Sequence, residues 1–159
     1  MDTPPPPAKR YYWEDFTVGR VMNLGRKVVE REATLAFAQQ FDPQPFHLDD
    51  AAAEASLFKR LSASGWHTCA MAMRLMCDAY LNDSSSLGSP GIDNLRWLKP
   101  VYPGDSLGAE MEVLEARVMN SKPHIGLVLS RWRLFNQDGV DVMTMQGWGM
   151  FGRRPQVQD

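Results

Sequence analysis

From Tyr11 onward the spacing of apolar positions changes several times, and each change marks an element. The segment YYWEDFTVG, ending at Gly19, is aromatic and turn-rich and reads as a clip over one edge of the core. Residues 20–30 read as a first strand. Residues 32–41 place Leu35, Ala38 and Phe41 at helical spacing, with Phe37 beside them, and predict a short amphipathic helix. Pro43 and Pro45 end it, because each proline disfavours helix in the residue before it. Residues 49–60 read as a second short helix opened by acidic residues, which suit a helix N-terminus. Residues 65–81 are apolar almost all round, which predicts a buried helix. Then the Ser- and Gly-rich stretch 84–91 reads as a loop. Beyond Gly91 the period becomes extended, with four runs at 92–99, 106–119, 125–135 and 140–151. The last two flank Asp138-Gly139, a strong hairpin signal. Leu107, Ala109, Met111 and Val113 alternate with Gly108, Glu110 and Glu112, so that strand has one dry and one wet face.

One strand, then helices, then an antiparallel meander gives an α+β chain. A curved antiparallel sheet and one long apolar helix satisfy each other when the sheet wraps the helix. This is the hotdog fold, and its unpaired strand edge predicts a dimer joined through sheet edges.

The chain of 159 residues is the size of one domain and large enough to fold without disulfide or metal. The domain is read over residues 11–155, after a disordered Pro-rich lead at 1–10 and before a tail at 156–159. A net charge of −2 gives no reason to expect nucleic acid or an anionic membrane as partner. The lead has no apolar core and so is no signal peptide. The longest apolar stretch is interrupted by Arg74 and Asp78 and is too short to span a bilayer. Cys69 and Cys77 lie two helical turns apart, roughly 12 Å, too far for a disulfide. Together these features point to a soluble cytoplasmic protein.

The candidate chemistry sits in Phe41-Asp42-Pro43-Gln44-Pro45-Phe46-His47. Two prolines stiffen the turn and hold a carboxylate and an imidazole at its ends, which suits proton transfer. Two readings stand on spacing alone: that pair, or a capping Asp42 and a buried polar His47. A second candidate is Ser64-Gly65-Trp66-His67, at the start of the buried helix. Free amides there stabilise negative charge, and glycine lets a substrate oxygen approach the backbone. With a thioester substrate the Gly65 amide would form an oxyanion hole. The other reading is a helix capped by Ser64 with Gly65 as a turn residue. His67 is the rival histidine, touching substrate or serving only at the helix start, and His124 reads as solvent-facing. Histidines so dispersed make a poor metal site. Trp66, Met71, Met73 and Met76 read as core or as walls of an acyl tunnel. Arg96, Lys99, Arg153 and Arg154 read as solvated or as partners for phosphates.

DPQPFH at 42–47, ASGWHT at 63–68 and GIDNLRWLKPVYPGDSL at 91–107 together resemble the MaoC-like acyl dehydratase family, which includes the (R)-specific enoyl-CoA hydratases. The similarity runs over residues 13–153. The resemblance implies a hydratase or dehydratase in which Asp42 and His47 hold and deprotonate water, and the Gly65 amide receives the thioester carbonyl. It further implies an acyl-CoA or acyl-carrier thioester as substrate and no cofactor beyond the coenzyme A of that substrate. This chain departs from the family in having Gln44-Pro45-Phe46-His47 for Asn-Pro-aliphatic-His, and Ser64-Gly65 for His-Gly. Met73 falls near a serine found in some hydratases. Two other functions use the same scaffold: a thioesterase with a carboxylate base, and a subunit that binds acyl thioesters without turnover.

Overall fold

The computed structural model describes residues 7–156. Six strands form one antiparallel sheet: β1 (Val21–Val28), β2 (Ser86–Gly88), β3 (Asp93–Trp97), β4 (Ser106–Val118), β5 (Ile125–Phe135) and β6 (Asp141–Gly152). Their order is β1-β4-β5-β6-β2, with β3 also paired to β6. The helices are α1 (Arg31–Phe41), α2 (Asp50–Glu54) and α3 (Gly65–Met76), the last continued by a wider π-helical turn, Cys77–Leu81. The sheet curves around α3, as the alternation of strand residues and the apolar helix predict.

The rows facing α3 follow from the strand register. Ala109, Leu134 and Met143 lie side by side across β4, β5 and β6, as do Met111, Trp132 and Met145. Met71, Ala72, Leu75 and Met76 of α3 close the same buried cluster. Two further rows are small: Ser130 pairs with Gly147, and Val128 with Gly149. Small residues on the dry face of a sheet leave a hollow opposite the helix, and one is present (below).

The structure departs from the sequence expectations at three places. The helix expected over residues 49–60 is only Asp50–Glu54. The Ser56 hydroxyl bonds back to Ala53 O at 2.7 Å, and Lys59 takes a left-handed φ of 67°; both oppose another turn. Strand β2 lies inside the expected loop. It owes its form to pairing with Met150 and Phe151 of β6, since its own residues are all exposed. The buried helix is uncovered on one side, with Trp66 59% and Met73 46% exposed, because the sheet of one chain wraps only part of the cylinder. The expected disordered lead lies mostly outside the described residues; where it meets the domain, the amides of Arg10 and Tyr11 donate to Asp83 O at 3.0 and 3.1 Å. Among the described residues no helix is long and apolar enough to cross a membrane.

Candidate active site

Helix α1 stops where the prolines require. Asp42 leaves helical geometry at φ −149°, ψ 66° while its amide still donates to Ala38 O. Pro45 then opens a single 3₁₀ turn, Pro45–His47, whose cap comes from the backbone of Gln44. This tight return brings His47 Nε2 to 3.4 Å from Asp42 Oδ2. Asp49 caps the next helix by accepting from the amides of Ala51 and Ala52, which anchors the far end of the turn.

The imidazole is only 5% exposed and lies between Phe46 and Phe58. Its Nδ1 is 2.7 Å from Ser62 O. A carbonyl oxygen only accepts, so Nδ1 carries the proton, and in the neutral ring Nε2 presents a lone pair. Asp42 Oδ2 and His47 Nε2 are then two acceptors facing each other. Neither can donate to the other, and one water molecule can satisfy both with its two protons.

Burial alone would raise the Asp42 carboxyl, but hydrogen bonds from Gln44 and Ser64 and the charge of His47 outweigh it. The Gln44 amide donates to Oδ1 at 2.7 Å, leaving Oδ2 for the histidine side. The carboxyl is therefore held below its ordinary 3.8 and is ionised throughout the neutral range.

Ser64 caps α3, its hydroxyl accepting from the Trp66 amide at 3.3 Å. The Gly65 amide, first in the helix, has no partner within it. Asp42, His47, Gly65 and Trp66 all line one open cavity of about 360 Å³, and Gln44 and Trp97 complete its polar and aromatic walls. Ser64 is buried and does not line it; its hydroxyl holds the helix tip through the Trp66 amide.

His67 does not line this cavity. Two residues beyond Gly65 is about 200° around a helix, so its ring points to α1 and stacks on Phe37 at 4.8 Å and 12°. It is buried, and its Nδ1 has no partner among the described residues. Lys99 lines the cavity, whereas Arg153 and Arg154 are paired with Glu14 and Asp15. Among the described residues no three His, Cys, Asp or Glu side chains gather as a metal-ligand set. Gln44 and Trp97 lie in the motifs that carry the resemblance, but the sequence gives neither a site role. Gln44 carries a local signal, an amide two residues from the acid, but nothing local marks the contact of Trp97 with Gly65, 32 residues away.

The hollow opposite the second half of α3 holds about 240 Å³ and is mostly apolar. Met73, Met76 and Tyr80 face Ser130, Trp132 and Gly149 across it. Its helix residues fall on the face that carries Gly65 and Cys69.

Burial, aided by the Lys27 charge, holds the His67 imidazole below its ordinary 6.5. The unfolded chain then takes up this proton first as pH falls, so the stabilisation is complete above about pH 6.5 and is lost progressively below it. Between pH 7.5 and 5.5 the thermal midpoint of the wild type should drop further than that of His67→Phe. Equal drops would show that His67 gains its proton as easily folded as unfolded.

The family described as MaoC like domain matches residues 15–128. The MaoC-like dehydratase of Rhodospirillum rubrum superposes with a TM-score of 0.85 at 40% identity, covering 92% of this chain and 99% of that one. The (R)-hydratase of A. caviae superposes with a TM-score of 0.67 at 26% identity over 87% of this chain and 97% of that one. The uncharacterized protein YdeM of Bacillus subtilis (strain 168) is 28% identical over 129 residues, 81% of this chain and 90% of its own length.

Proposed function

We propose that this chain, which belongs to the MaoC-like domain family, reversibly adds water across a trans-2-enoyl thioester to give a 3-hydroxyacyl thioester. The observation that carries the reading is the pair of acceptors, Asp42 Oδ2 and His47 Nε2, 3.4 Å apart in the cavity that Gly65 also lines. A water donating to both oxygen and nitrogen turns its lone pair outward, toward the β-carbon of a substrate whose carbonyl accepts from the Gly65 amide. As the new C3–O bond forms, His47 Nε2 takes a proton from the water and the C2=C3 π electrons move toward the carbonyl. The resulting negative charge rests on the thioester oxygen at Gly65. His47 then returns the proton to C2, so one water is added in net and the pair is restored. Ser62 O holds the imidazolium through Nδ1, and ionised Asp42 offsets its charge.

No cofactor is needed beyond the coenzyme A or carrier thiol that the substrate brings. This reading gives the acyl chain the apolar hollow beside Met73 and Met76 as its receptacle. Likeness to the (R)-hydratase of A. caviae favours the (R) product. The working unit of this proposal is a homodimer. Among the described residues strand β3 is hydrogen-bonded on one side only, to β6, and Trp66, Met73, Trp97 and Leu98 expose apolar surface.

The test follows crotonyl-CoA and longer trans-2-enoyl-CoA esters. Loss of absorbance at the conjugated thioester band without release of free thiol, and its regain from the (R)-3-hydroxyacyl ester, is the expected result. Release of thiol would instead make the protein a thioesterase, and binding with neither change would make it an acyl-thioester-binding subunit.

A further inference from the structure

We infer that Trp97 is a positioning residue for the helix tip, acting through Gly65; its catalytic consequence rests on the hydration reading above. Gly65 sets a difficulty for that chemistry. An amide that stabilises developing charge must be held in place before the reaction, since catalysis of this kind draws its strength from donors that need no reorientation. Yet Gly65 is the first residue of its helix, with no intrahelical partner for its N–H, and glycine has the least restrained backbone of any residue.

The indole of Trp97 supplies the missing restraint from the sheet. Its Nε1–H donates to Gly65 O at 2.9 Å, across 32 residues of chain. Its ring covers the Cα of Gly65 so closely that a Cβ placed there would lie 2.5–2.8 Å from three ring atoms. Trp66 packs edge-on against the same ring at 5.2 Å and 84°. The indole itself is well anchored, because Trp97 is in register with Met143 of β6 and the next amide, Leu98, donates to Val142 O at 2.8 Å. The first turn of α3 is thus gripped by Ser64 at its cap and by the sheet at its carbonyl. This also changes the reason for the glycine: the space beside Gly65 is filled by Trp97, and a side chain at 65 would be excluded by the indole before it ever met substrate.

Four proteins test the clamp: Trp97→Phe, Trp97→Leu, Gly65→Ala and the Gly65→Ala/Trp97→Leu double variant. Trp97→Phe keeps an aromatic ring and removes the donor. It should lower kcat by about 3- to 10-fold, the rate equivalent of one hydrogen bond, with KM and the pH profile unchanged. Gly65→Ala should lose both activity and thermal midpoint, and the double variant should regain part of each. Wild-type kcat in Trp97→Phe and Trp97→Leu would overturn the inference, as would a rise confined to KM, which would make the indole a substrate wall instead. Should the wild type prove not to hydrate enoyl thioesters, the hydration reading fails, while the thermal midpoints still decide the clamp. Gly65→Ala must then cost clearly more in the wild type than beside Trp97→Leu, and equal costs would refute the contact.

Discussion

Asp42→Asn should lower kcat for hydration by about 10²–10⁴-fold, the range that positioned acid–base groups contribute. The substitution is nearly isosteric, so the prolines and the Gln44 contact keep the turn. What changes is the chemistry at Oδ2, where an acceptor becomes either a neutral oxygen or an amide that donates. The water loses one of the two groups that orient it, and the imidazolium formed in the reaction loses the charge 3.4 Å away. Because Asp42 is held below its ordinary value, its ionised form also stabilises the fold. That contribution is present above the unfolded carboxyl's ordinary pKa and disappears as pH falls through the lower folded one. The variant should therefore melt somewhat below the wild type at pH 7 and match it more closely in acid. Steady-state kinetics and thermal melts measure both, and an unchanged kcat would remove Asp42 from the mechanism.

His47→Asn should cost a similar factor by a different route. The asparagine amide can still donate to Ser62 O, as Nδ1–H does now, so the loop keeps its anchor while the base at Nε2 is gone. Since the proposed mechanism has the two side chains share one water, their losses should not multiply: Asp42→Asn/His47→Asn should be about as slow as the worse single variant. What remains would be the share of the Gly65 amide and of substrate binding. Multiplying losses in kcat/KM would mean that the acid and the imidazole act separately, which is incompatible with a shared water.

How much of this was legible beforehand depended on the range of the interaction. Helix α1 and the three long strands are written in local periodicity, and their bounds in the sequence reading fall within two residues of the structure. Helix α2 was overestimated because Ser56 competes for a backbone carbonyl, and β2 went unseen because only its partner makes it a strand. The placement of His67 against Phe37 follows from a rule the sequence carries: two steps along a helix turn a side chain to the opposite face.

The sequence by itself determined the sheet wrapped on a helix and the stiff turn that carries Asp42 and His47, because those follow from residue period and from prolines within a few positions of each other. Only the tertiary structure decided which nitrogen of His47 is protonated, which oxygen of Asp42 is free, and what holds Gly65. Each of those depends on a group brought from elsewhere or on a side-chain angle: Ser62 O, the Gln44 amide, the Trp97 indole. Contacts of that kind leave no periodic trace along the chain, since strand register and helix packing, not spacing, bring their partners within reach.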